Sequence, residues 1–182
     1  MKTITLHAGH NKNGKIACGA SDYLDESKEA RFLVKEIKKH LKGKVKVVDC
    51  TVNNGKSQRD VLERIVKKCN VNMRSIDVSI HFNACRHESA DGKTKGCECL
   101  VYNLGGKAES LCNYVTHRLE GLGFRNRGVK VNKDLYFLKN TNKPAILIEV
   151  CFVDDEDDAK LYKKVKYAVG KEIARAIIDM VG

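Results

Sequence analysis

The sequence predicts an α/β fold: a single domain built on a twisted, mostly parallel sheet of about six strands, with helices on both faces. Two observations predict it. Short β-type runs alternate with amphipathic helical stretches along all 182 residues. One run, Ala145–Phe152, is almost wholly apolar, which is typical of a central strand buried on both faces. The length suits one domain, and no Pro/Gly/Ser-rich linker interrupts the chain.

The individual elements follow from the spacing of apolar side chains. Strands are expected at residues 2–7, 44–49, 76–82, 96–102, 135–138 and 145–152, where β-branched or alternating apolar residues occur. Helices are expected where apolar residues recur every three or four positions, around residues 30–41, 61–69, 108–122 and 165–180. Gly43 closes the first of these helices. The acidic residues at 154–158 suit the N-terminus of the last one.

Charge limits the classes of partner. The chain carries 34 Lys+Arg against 23 Asp+Glu, a net charge of +11, so its surface attracts polyanions. Aromatic residues make up only 6%, Trp is absent, and no basic run is interleaved with stacking aromatics, so we expect no nucleic-acid partner. An anionic cell-wall polymer would fit the charge equally well. No apolar run approaches ~18 residues, so we expect no membrane span.

The cysteines and the N-terminus bear on the cellular compartment. Eight cysteines occur without a CxxC pair, which argues against a zinc ribbon or a thioredoxin-like site and favours buried free thiols. The N-terminal residues form a β-type run rather than the apolar core of a signal peptide. We therefore expect synthesis in a reducing cytoplasm without a signal peptide.

Polar residues stand where three strands should bury apolar ones. His10 follows the first strand, His81 lies in the third, and Glu149 interrupts the apolar run Ala145–Phe152. An unpaired buried carboxylate is costly, so Glu149 should meet a cation, a metal or a proton donor. Two imidazoles and a carboxylate at one sheet edge suit zinc, and Glu149 could be the third ligand or the general base. Glu26 and Glu29, near the start of the first helix, are further candidate ligands.

Taken in order, four segments resemble a known family. They are Gly9-His10, Gly19-Ala20 followed by Glu26, residues 79–84 (SIHFNA) and residues 146–152 (ILIEVCF). The chain is similar to zinc-dependent N-acetylmuramoyl-L-alanine amidases of phage endolysins and bacterial autolysins. Residues 127–130 (RGVK) bring it closest to the clostridial phage type.

The resemblance implies specific roles. It makes His10, Glu26 and His81 the zinc ligands and Glu149 the catalytic carboxylate, with residues 1–182 as the catalytic domain and no separate wall-binding domain in this chain. It implies hydrolysis of the amide between N-acetylmuramic acid and L-alanine, so that the enzyme acts on bacterial peptidoglycan. His7 stands where the family often has an Asp, and we interpret it as at most a neighbour of the ligands. Substrate-binding residues are not assigned, although the loop at 86–95 is a candidate for the peptide groove.

Two other readings remain open. A different zinc peptidase, carboxypeptidase-like, would also use two His and a Glu, but its HxxE pattern is missing: three places after His7 stands His10, and three places after His10 stands Asn13. A basic nucleic-acid-binding module would make the His/Glu set structural. Glu29 remains a rival to Glu26 as ligand.

Overall fold

The computed structural model describes residues 1–181 and confirms the predicted α/β class. Within that range it contains six strands and five helices. The strands are β1 (Thr3–Ala8), β2 (Lys46–Asp49), β3 (Asp77–Asn83), β4 (Cys97–Val101), β5 (Asn126–Val131) and β6 (Ala145–Phe152). The helices are α1 (Glu26–Leu41), α2 (Gln58–Asn70), α3 (Gly106–Glu120), α4 (Tyr136–Asn140) and α5 (Glu156–Val181).

The strands form one sheet in the order β2-β1-β3-β6-β4-β5. Strands β2, β1, β3 and β6 are mutually parallel, β4 runs antiparallel to β6, and β5 is parallel to β4. The carboxyl ends of β1, β3 and β6 therefore meet at one edge of the sheet. In sheets of this type, ligands bind at that edge.

Helices cover both faces, and each face has its own apolar core. Helices α1, α3 and α5 pack on one face, where the buried residues include Ile146, Ile148 and Val150 of β6. Helices α2 and α4 cover the other face, where Ala145 and Leu147 of the same strand are buried. Alternation along β6 thus serves two cores, which explains why the strand is almost continuously apolar. Glu149 falls on the face of α2 and α4.

One predicted strand is wrong. Residues 135–138 begin a short helix, α4, rather than a strand. Periodicity cannot separate the two in so short an apolar run, and here both Phe137 and Leu138 are buried against the smaller core. The side chain of Asn132 accepts hydrogen bonds from the backbone of Asp134 and Leu135 and turns the chain into the helix.

The sixth strand is β5, which the apolar pattern did not indicate. It lies at the sheet edge and is half-buried or exposed along its length, so it has no buried face to impose alternation. All eight cysteines are free, and six of them are buried; Cys18 is half-buried and Cys85 is exposed. None of the helices described is both long and apolar enough to cross a membrane.

Candidate metal centre

The edge of the sheet brings His10, Glu26 and His81 together. His10 follows β1, Glu26 opens α1, and His81 lies in β3. Each offers a ligand atom, and these atoms all lie within 4.8 Å of one another. Oε1 of Glu26 is 3.0 Å from Nδ1 of His81 and 3.2 Å from Nε2 of His10. Residues separated by up to 71 positions in the chain therefore form one compact cluster that could hold a metal ion.

Two glycines make room for this cluster. A Cβ atom on Gly9 would overlap the imidazole ring of His81, and one on Gly19 would overlap the carboxylate of Glu26. Gly19 also has a φ of +83°, which side chains rarely adopt. The glycines at these two positions are thus required by the close packing of candidate ligands against the backbone.

The loop that carries His10 is held in a strained conformation. His10 has a φ of +60°, in the left-handed region. The buried side chain of Asn11 fixes the loop: its amide donates to Ile16 O at 2.9 Å and to Gly55 O at 2.7 Å. Nη2 of Arg31 donates to the carbonyl of His10 at 3.1 Å. Sequence analysis missed both Asn11 and Arg31, because neither lies in an apolar pattern that would make a polar side chain conspicuous.

Glu26 has the environment of a carboxylate that stays ionised. Oε1 also accepts a hydrogen bond from Phe82 N at 3.2 Å, and Oε2 accepts one from Ala20 N at 3.0 Å. Burial favours the neutral acid, but hydrogen bonds from His10 and His81 outweigh it and hold the pKa of Glu26 well below its usual range. Burial lowers the pKa of His81, although Glu26 partly offsets this. An ionised carboxylate beside neutral imidazole is the state in which these groups bind a metal.

Glu149 lies beside this cluster. Across the sheet, His81 of β3 pairs with Glu149 of β6, which pairs with Glu98 of β4. Oε2 of Glu149 is buried and has no hydrogen-bond partner among the described residues. Burial, and then the charges of Glu26 and Glu98, raise the pKa of Glu149 well above its usual range.

Among residues 1–181, no basic side chain forms an ion pair with Glu149. The guanidinium of Arg127 donates to Oε2 of Glu98 at 2.6 Å instead. Lys130 binds the same oxygen of Glu98. Sequence analysis did not identify Glu98, since a glutamate in a strand near the sheet edge is ordinarily solvated. Glu98 therefore has two basic partners, and Glu149, which pairs with it across the sheet, has no counter-charge among the described residues.

The rival candidates lie elsewhere. Glu29 accepts a hydrogen bond from Tyr162 at 3.1 Å and lies 3.7 Å from Lys166, so it is not part of the cluster. The other exposed or half-buried histidines pair with acidic residues at separate sites. They are His40 with Glu36, His87 with Asp22 and His117 with Glu120.

A cavity of about 190 Å³ adjoins the cluster on the face of α2 and α4. Its lining includes His10, His81 and Glu149, together with His7 and Ser79 from deeper in the sheet. The loop at 86–95, a candidate for the peptide groove, does not line this cavity. It packs against the start of α5, where Glu88 N donates to Asp154 O and Gly92 N donates to Asp157.

Comparison with known proteins agrees with this geometry. The family model described as N-acetylmuramoyl-L-alanine amidase (Amidase_3) matches residues 4–179. An uncharacterized protein of Clostridium perfringens is 36% identical over 179 residues, covering 96% of this chain and 51% of the relative. The endolysin of Bacillus phage SPP1 is 29% identical over 170 residues, covering 90% of this chain and 59% of the endolysin. The chain thus spans about half the length of the curated relatives it matches.

A solved structure extends the comparison to the fold. The catalytic domain of the CD27L endolysin, which targets Clostridia difficile, superposes with a TM-score of 0.82 at 23% identity and covers 100% of this chain and 99% of that domain. The family match includes the loop of His10, the start of α1, β3 and β6. The resemblance inferred from the sequence is confirmed at the level of the family. The chain belongs to the N-acetylmuramoyl-L-alanine amidase family.

Proposed function

We propose that this chain is the catalytic domain of a zinc-dependent N-acetylmuramoyl-L-alanine amidase, which hydrolyses the amide between the lactyl group of N-acetylmuramic acid and the L-alanine of the stem peptide in bacterial peptidoglycan. The observation that carries the proposal is the convergence of His10, Glu26 and His81 beside a buried, unpartnered Oε2 of Glu149.

The donor set fits zinc. Two imidazole nitrogens and one carboxylate are a ligand set that catalytic zinc commonly takes from proteins, with a further position left open. A thiolate is not needed, and no cysteine belongs to the cluster of the described residues. A carboxylate with one buried, unpartnered oxygen beside this set favours a catalytic over a structural site.

His10, Glu26 and His81 would hold the zinc, which when bound would supply Lewis-acid chemistry for polarising a carbonyl and activating a water. Glu26 would contribute negative charge to the metal site; its Oε1 lies within hydrogen-bond distance of one ring nitrogen of each imidazole, which holds the three ligand atoms close together. The carboxylate of Glu149 accepts a proton from the attacking water and delivers it to the leaving alanine nitrogen. Its apolar setting suits this role, because a raised pKa makes the carboxylate a better proton acceptor.

The partner that follows is peptidoglycan, with anionic wall polymers as additional contacts. The net charge of +11 supports this part of the proposal. Exposed lysines on α1 and its C-terminal turn include Lys35, Lys39, Lys42 and Lys44, and others lie along α5. Such a surface attracts a polyanion without a dedicated binding pocket.

End-group analysis of digested, purified peptidoglycan tests the proposal. We expect new N-terminal alanine, no new reducing sugar ends and no other new N-termini. New reducing ends would indicate a glycosidase, and a different N-terminal residue would indicate a peptidase such as the carboxypeptidase-like alternative. The Glu149→Gln variant, prepared in the same way, is the control for contaminating activity.

A further inference from the structure

His7 has no assigned role, yet it lines the cavity beside the candidate metal centre. It is only 1% exposed. Four buried side-chain polar atoms lack a hydrogen-bond partner among the described residues, and two of them, Nε2 of His7 and Oε2 of Glu149, belong to residues that line this one cavity. A buried polar atom without a partner costs stability, so its retention beside a reaction centre indicates a ligand that satisfies it.

The chemical character of Nε2 follows from the other ring nitrogen. Nδ1 of His7 lies 3.3 Å from the carbonyl oxygen of Ala8. Oγ of Ser79 lies farther from the same nitrogen, at 3.5 Å, and a hydroxyl can accept as well as donate. Because a carbonyl only accepts hydrogen bonds, the shorter contact favours the tautomer with the proton on Nδ1, in which Nε2 is an acceptor. Burial, together with the nearby His81, lowers the pKa of His7 to about 3, so the ring stays neutral. The group that satisfies Nε2 must therefore donate an N–H or an O–H.

The walls of the cavity restrict that group further. Five side chains form the apolar part of the lining, and Gln58 and Tyr136 add polar groups to the wall; the five are Leu62, Ile65, Leu135, Phe137 and Leu147. Phe137 packs edge-on against the ring of His7, with centroids 4.7 Å apart. The volume of about 190 Å³ is roughly six times the space of one water in the liquid, so it admits a group of a few heavy atoms. A charged group would be buried without a counter-ion at His7, which disfavours it.

We propose that this cavity is the subsite for a methyl-bearing secondary amide of the substrate, whose N–H donates to Nε2 of His7. The inference rests on the proposed function, because the substrate of an N-acetylmuramoyl-L-alanine amidase carries two such groups near the scissile bond. One is the acetamido group of the sugar. The other is the methyl side chain of L-alanine with the N–H of the amide that follows it. Both combine a small apolar part with a neutral donor.

The test compares three soluble muropeptide substrates that differ only at the donor. The first is the parent fragment. In the second, the acetamido N–H is replaced by an ester oxygen, and in the third the N–H that follows alanine is replaced in the same way. Release of N-terminal alanine gives kcat/KM for each. We expect the wild-type chain to lose about tenfold in kcat/KM on one of the two analogues, carried by KM. That analogue identifies the group that occupies the subsite.

Variants connect this loss to His7. His7→Phe removes the acceptor and keeps a flat ring against Phe137; it should lose about tenfold on the parent and treat the parent and the sensitive analogue alike. His7→Gln, which keeps an acceptor, should recover part of the discrimination. Gly121→Ala, which lies outside the cavity and has room for the added Cβ, is the control and should keep the wild-type ratio. Zinc content and melting temperature are measured for every variant.

A second readout needs no substitution at His7. In the Glu149→Gln variant, the ¹⁵N resonance of His7 Nε2 should shift on saturation with the parent and stay in place with the sensitive analogue. An active wild-type enzyme that shows equal kcat/KM on all three substrates, or an unmoved resonance with the parent, would overturn the subsite alone. A wild-type chain that releases no alanine would overturn the proposed function and the subsite with it.

Discussion

The surroundings of Glu149 disfavour an ionised carboxylate. Glu149 interrupts the apolar strand β6 and pairs with Glu98 on the adjacent strand β4. Its Oε2 is buried and has no hydrogen-bond partner among the residues described. Its pKa is raised above the ordinary value of 4.5 by burial and by Glu26 and Glu98. A group that is costly to the fold and adjacent to three candidate metal ligands is typical of a functional site.

This cost predicts a pH-dependent stability in the metal-free chain. Because the folded pKa of Glu149 is raised, its contribution to stability is fully present below about 4.5 and is lost as the pH rises toward the folded pKa. The metal-free Glu149→Gln variant should therefore melt at a higher temperature than metal-free wild type near pH 8. The difference should shrink toward pH 4. Thermal melts of both chains across this range check it, and a variant less stable than wild type at neutral pH would contradict it.

A second prediction at this scale concerns Gly9. The Cβ of an alanine there would overlap the ring of His81. Steric overlap of this kind destabilises the fold by about 1–3 kcal/mol. Gly9→Ala should therefore bind zinc more weakly and lose activity in parallel. Gly121→Ala is the control, because its nearest neighbours lie 3.4 Å or more from the new Cβ. Zinc titration of both variants decides; unchanged affinity in Gly9→Ala would show that His81 is free to move.

The sequence predicted those site residues whose type conflicts with their surroundings. Glu149 stood out in an apolar run, and His10 and His81 stood at strand ends. Glu26 rested on the family resemblance, and only the structure separates it from Glu29. Asn11 could not be predicted, since its role depends on Gly55, which is 44 positions away. Such contacts depend on tertiary geometry that no local pattern encodes.

At the scale of elements, the candidate ligands join three pieces of the fold. They link the loop after β1, the first turn of α1 and the strand β3. A ligand that binds only the native state stabilises it by mass action. Bound zinc should therefore act as a cross-link between segments that are distant in sequence.

Removal of zinc should lower the melting temperature. At a zinc concentration 1,000-fold above Kd the stabilisation is about 4 kcal/mol, which corresponds to a shift of roughly 8–16 °C for a domain of this size. Calorimetry with and without a chelator measures the shift. The Glu26→Ala variant is the control and should melt at the same temperature in both conditions. A wild-type melting temperature unchanged after verified zinc removal would contradict the prediction.

Elements with a buried face could be predicted, and those without one could not. The boundaries of β6 match the sequence expectation because two cores impose its pattern. Strand β5 was not predicted because it lies at the sheet edge, half-buried or exposed, and has no buried face that would impose alternation of apolar and polar residues. The segment that became α4 was assigned to a strand because four apolar residues in a row fit either structure.

At the scale of the whole molecule, charge should govern contact with the wall. The net charge is +11, and exposed charges are screened beyond about 8–10 Å at physiological salt. Binding to intact walls, measured by pelleting, should weaken as salt rises through the physiological range. Turnover of a small soluble muropeptide is the control and should change far less. Wall binding independent of salt would show that the positive surface has no part in it.

In the proposed function, Glu149 moves protons while His10, Glu26 and His81 hold the metal. Zinc content measured together with the hydrolysis rate in four variants tests it most directly. Glu149→Gln should keep its zinc and lose roughly two to four orders of magnitude in rate. His10→Ala, Glu26→Ala and His81→Ala should lose the zinc itself, since each leaves only two protein ligands. If Glu149→Gln lost its zinc while Glu26→Ala kept it, or if Glu149→Gln retained near-normal activity, the account would be wrong.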